Sequence, residues 1–233
     1  MSSPDKQSVS NATQPAQSRE VSTSLWSARE EESDATYSIL RLSDHRKADP
    51  YLRPAFAFRN RVRRALWAVC WFILFRFTPP PLFWWRSMVL RAFGARIGPN
   101  NFIYPSARIW APWLLETEEV VTIGRETEIY NPGGAIFKHH SIISQNAYVC
   151  GASHDYNDPG FSFQSKRIVL EPYAWVCARA IVLPGVTMGE GSVLGAGSVT
   201  ARSLEPWWVY AGNPARRTKS RKQSESSIRS TEI

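Results

Sequence analysis

Between residues 170 and 200 the chain repeats itself every six residues. Leu170, Val176, Val182, Met188 and Leu194 are apolar at that interval, and four places after each stand Ala174, Ala180, Val186, Ser192 and Ser198, all small or β-branched. An α-helix needs an apolar period near 3.6, and a hairpin strand needs a period of 2 with turn signals. A period of six fits one short strand followed by one tight corner. Three such units close a triangular coil, and successive coils stack at the strand-pairing distance of about 4.8 Å. The apolar residue then points into the prism and the small one fits beside it. Gly189 and Gly195, each directly after an apolar position, are expected where corner dihedrals favour glycine. The chain is therefore expected to be mainly β, a parallel β-helix.

The beat opens earlier, at Ile97, Ile103 and Ile109, slips between Leu115 and Ile123, and resumes at Ile123 and Ile129. After a second slip it returns at Phe137, Ile143 and Val149, which predicts about six coils over 94–215. Residues 1–50, rich in Ser, Gln, Glu and Thr at their start, are expected to be a disordered tail and lead-in. The start of the chain lacks the charged opening and apolar run of a signal peptide. Residues 216–233 are expected to be a basic C-terminal tail.

Residues 51–93 differ from both flanks. Arg59, Arg61, Arg63 and Arg64 precede eleven largely apolar residues, 65–75, and after Pro79, Pro80 and Pro81 a second aromatic stretch carries Arg86 and Arg91. Eleven residues fall short of the ~20 that span a bilayer. Two short amphipathic helices in the membrane interface are predicted, with Trp67, Trp71, Trp84 and Trp85 at headgroup depth and arginines toward anionic lipid. Packing of these helices on the domain or on another subunit is the alternative. The net charge of +8 comes mainly from this segment, where residues 49–93 hold eight Arg against one Asp, and from the tail. No base-reading motif accompanies it, so nucleic acid is not an expected partner. Cys70, Cys150 and Cys177 make no CxxC pair and are expected to be small buried side chains in a reducing compartment.

The block at 175–198, WVCARA IVLPGV TMGEGS VLGAGS, resembles the hexapeptide-repeat acyltransferases, a group that includes maltose and galactoside acetyltransferases, nodulation acetyltransferases and exopolysaccharide acetyltransferases of the colanic acid type. Residues 211–215, AGNPA, are similar to the segment that closes the helix near bound coenzyme A. Residues 75–80, FRFTPP, residues 93–98, FGARIG, and residues 153–156, SHDY, look most like the colanic acid type. The resemblance implies a left-handed coil, a homotrimer with active sites in the clefts between prisms, and acetyl-coenzyme A as co-substrate with no metal. It also implies a sugar or lipid-linked sugar as acceptor, and a cytoplasmic enzyme peripheral on the inner face of the membrane.

Acyl transfer from a thioester to a hydroxyl needs a base, donors for the tetrahedral oxyanion and a groove for the thioester arm. His154 follows regular coil positions and precedes a 13-residue excursion, 155–167. An imidazole held by a rigid coil beneath a loop suits the base role, and the resemblance places the catalytic histidine there. Asn131 is the candidate partner of acceptor or oxyanion, and Asp155, Asp158 or a backbone carbonyl the candidate orienter of the imidazole. Tyr156 and Phe161 are candidates for the acceptor side. Gly195, Ala196 and Asn213 are expected along the pantetheine arm, and Arg216, Arg217 and Lys219 at the coenzyme phosphates. Two alternatives remain open. A non-catalytic scaffold would show no thermal stabilisation by acetyl-coenzyme A. A zinc hydratase on the same helix needs three converging histidines, and His139 and His140, as strand neighbours, are expected to diverge.

Overall fold

The computed structural model describes residues 56–158 and 160–222. The expected tail and lead-in over 1–50, including His45, lie outside the described residues, as does most of the C-terminal tail. Within them the chain is a three-walled parallel β-helix. The first wall stacks strands Arg96–Ile97, Leu115–Thr117, Ala135–Phe137, Ile168–Leu170 and Thr187–Met188 in parallel. The second runs from Phe102–Ile103 to Trp208–Gly212, and the third from Arg108–Ile109 to Val199–Thr200. Five complete coils and a sixth, begun by the bridge from Met188 to Leu204, account for the expected number.

The inward columns are those the beat predicts. Leu170, Val176, Val182, Met188 and Leu194 are fully buried, and Ala174, Ala180, Val186, Ser192 and Ser198 fill the space beside them. Each buried aliphatic side chain contributes about 1.5–3 kcal/mol of transfer free energy, so the stacked columns hold the coils together.

The register locates both slips at one corner. Ile97 pairs with Thr117 and Thr117 with Phe137, Ile103 with Ile123, and Ile109 with Ile129. The extra residues therefore lie between Ile109 and Thr117, earlier than the spacing implies, and again between Ile129 and Phe137. They follow the third wall each time. Leu115 sits in a six-residue position but supplies a second inward column with Ala135 and Ile168, while Thr117 takes the inward slot. After Val149 the same corner releases the long excursion.

Corner dihedrals are not left to glycine. Asn100, Val120, His140 and Tyr173 occupy the left-handed region at the corner between first and second walls, with Gly191 and Trp207 completing the column. Their amides donate across the corner, as Val120 to the Pro99 carbonyl and His140 to that of Glu119. Gly189 and Gly195 are not in that conformation. They are small because the next coil passes close by, and a Cβ on Gly189 would stand 2.7 Å from the Leu204 carbonyl oxygen.

The helical segment is a cap on the first coil. Helix α1 (Phe58–Cys70) continues through a π-helical turn, Trp71–Phe75, and after the prolines comes α2 (Phe83–Ala92). In the walls each first-coil strand has a partner only in the second coil, as Phe102 donates to the Val121 carbonyl and Gly98 to that of Thr117. The alternate carbonyls of Ile97, Ile103 and Ile109 face the open end with no partner strand, which is costly if buried. The helices supply donors. Arg91 reaches the Ile97 carbonyl at 2.7 Å, Arg86 that of Ile103 at 2.5 Å, Trp67 that of Ile109 at 2.6 Å and Trp71 that of Ala107 at 2.8 Å. Arginine and tryptophan donate without accepting, so they suit a row of acceptors. Arg86 is completely buried and also donates to the Thr78 hydroxyl and to the carbonyls of Pro79 and Pro80.

This corrects the interfacial assignment of the tryptophans. Trp67 and Trp71 face the first coil, and Trp85 donates to the Leu74 carbonyl, whereas Trp84 is 64% exposed. The outer side of the cap remains open. Phe58, Val62, Leu66, Val69 and Ile73 form one stripe, joined by Phe72 and Phe77, all exposed. No helix among the described residues is long and apolar enough to cross a membrane.

At the other end, Trp208–Gly212 pairs antiparallel with Ala215–Ser220. The β-helix domain thus extends past residue 215, because strand pairing captures residues expected to belong to the tail. Arg221 is docked as well, donating to the carbonyls of Tyr173 and Gly191.

Candidate active site

The excursion that leaves the third corner is a small antiparallel hairpin. Ala152–His154 pairs with Phe163–Ser165, with His154 opposite Phe163. Its base is pinned where the backbone of Lys166 returns over Gly133, at which a Cβ would meet Lys166 backbone atoms at 2.6 Å. His154 therefore stands on a strand continuous with the rigid coil and projects into solvent.

Its Nδ1 lies 2.9 Å from the Phe161 carbonyl oxygen. A carbonyl only accepts, so Nδ1 carries the hydrogen and Nε2 of the neutral ring keeps its lone pair. The Phe161 ring stacks on the imidazole at 4.5 Å and 10°, and Phe163 meets it edge-on at 5.6 Å. The orienter is thus the backbone carbonyl rather than Asp155. The Asp155 carboxylate accepts from the Asn157 amide and from Gln164 Nε2, which ties the two hairpin arms together.

Asp158 holds the loop that carries this carbonyl. It accepts from the amides of Gly160 at 2.9 Å and Ser162 at 3.2 Å, and its own carbonyl accepts from the Phe161 amide. These hydrogen bonds, that from Gly160 first, lower its pKa below the ordinary aspartate value. Phe161 itself takes a positive φ of 45°. Asp158, a candidate orienter, thus acts on the loop and not on the ring, and nothing in the pattern of side chains signals that Phe163 packs on the imidazole. The adjacency only becomes visible once the hairpin register is known.

Asn131 has other partners than those expected. It is 1% exposed, its Oδ1 accepts from the Ala111 amide and its Nδ2 donates to the Ala111 carbonyl, so the carboxamide replaces a strand rung across the lengthened corner. Tyr156 is 83% exposed at the loop tip.

The residues expected to meet coenzyme A divide into two groups. Gly195, Ala211 and Arg216 stand in one row across three strands, since the Gly195 amide donates to the Tyr210 carbonyl and Ala211 opposes Arg216. Ala196 and Asn213 are exposed beside this row. Arg217, the next residue, points to the opposite face of its strand. It pairs with Glu205 at 2.8 Å and lies over Trp208 at 4.2 Å. Lys219 opposes Val209.

His139 and His140 converge instead of diverging, with Nδ1 atoms 3.2 Å apart, because His140 sits in the left-handed corner and not in a strand. His154 is not with them, and among the described residues no group of three metal-ligating side chains forms.

WcaF of Escherichia coli strain K12, named for an acetyltransferase of colanic acid biosynthesis, is 36% identical over 166 residues, which are 71% of this chain and 91% of that protein. The chain belongs to the hexapeptide-repeat acyltransferases. No protein-family model matches it. The fold is that of solved acyltransferases. A maltose O-acetyltransferase from Clostridium difficile 630 superposes with a TM-score of 0.63 at 20% identity, covering 72% of this chain and 90% of that one. A hexapeptide-repeat acetyltransferase from Vibrio cholerae O1 biovar eltor, solved with acetyl coenzyme A, gives 0.64 at 18% identity, covering 80% and 97%.

Proposed function

We propose that the enzyme transfers an acetyl group from acetyl-coenzyme A to a hydroxyl of a sugar in an exopolysaccharide or envelope precursor, with His154 as general base. The observation that carries this reading is the hydrogen bond from His154 Nδ1 to the Phe161 carbonyl, which leaves Nε2 as a fixed acceptor above the coil. As the sugar oxygen attacks the thioester carbonyl carbon, Nε2 takes its proton. The tetrahedral intermediate then collapses, the C–S bond breaks, and the imidazolium returns the proton to the departing thiolate. The colanic acid role named for the Escherichia coli relative supports a polysaccharide acceptor, and the coenzyme complex of the Vibrio neighbour supports the donor. The row of Gly195, Ala211 and Arg216 is where the pantetheine arm would lie, with Arg216 toward the phosphates.

The enzyme works as a homotrimer, peripheral on the inner face of the membrane. The exposed stripe of α1 supports the second part, since five apolar side chains share one helix face with arginines alongside. The decisive experiment is a thiol-release screen with acetyl-coenzyme A over sugars and lipid-linked sugars. His154→Ala should lose roughly 10²–10⁴ in kcat with KM for acetyl-coenzyme A little changed. Near-normal turnover by that variant, purified and folded, would remove His154 from the mechanism.

A further inference from the structure

An open groove of about 780 Å³ runs between α1 and the lower edge of the third wall. Its walls are aromatic and aliphatic, with Phe58, Val62, Trp71 and Phe72 among them, and Arg61, Arg64 and Arg108 are its charged residues. Among the described residues no acidic side chain lines it. Other arginines of the surface are neutralised, Arg96 by Glu116 and Arg217 by Glu205. Among the described residues no ion pair involves Arg61, Arg64 or Arg108, although Glu128 lies in register with Arg108 on the next coil.

Two of these cations are held by rings. Arg64 lies 4.6 Å from the Trp110 ring, and Arg108 lies 5.4 Å from that of Trp71. A guanidinium over a ring keeps its in-plane N–H donors for another group, and those donors match phosphate oxygens. The groove has two outlets. Phe58, Val62 and Phe72 continue into the exposed stripe of the cap. At the other side Trp110 contacts Phe56 at 4.9 Å, Phe56 contacts Phe163 at 5.1 Å, and Phe163 contacts His154.

We infer that this groove seats the phosphate and the first length of hydrocarbon of a lipid carrier to which the acceptor sugar is attached. The inference deepens the proposed function and rests on it for the sugar. A lipid phosphate is the occupant because both parts of its chemistry are met at once, an apolar trough for the chain and unpaired guanidinium groups for the head. The sugar beyond the phosphate then extends along the aromatic path toward His154, and the chain leaves through the stripe on α1.

The test uses the full-length protein and farnesyl diphosphate below its aggregation concentration, followed by tryptophan fluorescence and calorimetry. One molecule should bind per chain, with inorganic pyrophosphate alone and farnesol alone each roughly ten-fold weaker or worse. The double substitution Arg64→Gln with Arg108→Gln should weaken binding by about ten-fold or more. Val62→Glu, which places a carboxylate on the exposed wall, should do the same without touching either stacked arginine. Neither variant should change the thermal shift produced by acetyl-coenzyme A.

Absence of saturable binding to the wild type overturns the inference, as does equal binding by both variants. Parallel loss of binding to phosphatidylglycerol vesicles would make the groove a seat for bulk lipid headgroups and overturn the carrier assignment. A smaller sedimenting species in the variants would assign the groove to a subunit contact and overturn it equally. Because the probe carries no sugar, its binding is read apart from catalysis. A protein that binds farnesyl diphosphate but acetylates no sugar refutes the proposed activity and not the phosphate seat.

Discussion

The His154 ring is held by a hydrogen bond to a main-chain carbonyl, so its orientation depends on residues that never touch it. Asp158 is the foremost of these, since its carboxylate fixes the amides on either side of Phe161. Its pKa is lowered in the folded chain, so the loop anchor is complete above the ordinary aspartate range and is lost as pH falls through the lowered value. Hydrogen exchange of the Gly160 and Ser162 amides should accordingly stay slow through mild acid and quicken only below it. Asp158→Asn should quicken exchange at neutral pH and reduce kcat on the order of ten-fold through misplacement of the imidazole, with KM for acetyl-coenzyme A unmoved. A normal kcat in that variant would show that the loop holds without it. Val120 is a second residue whose position is costly, a β-branched side chain at φ 58°. Val120→Asn keeps the amide that donates to Pro99 and relieves the strain, so it should raise stability by about 1 kcal/mol in urea unfolding. An unchanged or lower midpoint would mean that the corner bears no strain.

The cap is the element that composition describes least well. Arginine beside tryptophan reads equally as a bilayer interface and as a set of donors, and only the position of the helices over the open end of the first coil separates them. The first coil presents acceptors, and Arg86, Arg91, Trp67 and Trp71 meet them. Arg86→Met fills a similar volume but leaves the Ile103, Pro79 and Pro80 carbonyls without their donor. It should cost on the order of 3 kcal/mol or more, read as a lower denaturant midpoint, with the far-ultraviolet spectrum of the walls retained. A loss under ~1 kcal/mol would mean that water reaches the end of the prism. The walls themselves were legible because an inward apolar residue recurs at every strand from Leu170 to Leu194. The place of the first slip was not, since Pro112, Leu114 and Leu115, which fill the lengthened corner, are themselves buried and mimic wall residues. The site was half legible. The histidine before the long excursion is visible in the sequence, whereas a carbonyl partner leaves no trace in residue type, and Asn131 has the same composition whether it faces a substrate or replaces a rung.

At the scale of the molecule, the proposed function would separate two tasks by height, with donor chemistry at the last coils and the terminal hairpin and contact with lipid at the cap at the opposite end. Placing Glu at both Leu66 and Ile73, which are 60% and 63% exposed, should abolish flotation with anionic vesicles while sedimentation still reports the homotrimer. Flotation as strong as wild type would remove the stripe from any lipid role. The shared corner after the third wall has a wider consequence. Every departure from the strict beat is confined to that edge, so chain can be added or removed there while the three walls keep their pairing partners. The edge behaves as a socket. Relatives with the same scaffold could plug in hairpins of different length and so change which alcohol is presented to the imidazole, with no cost to the column beneath.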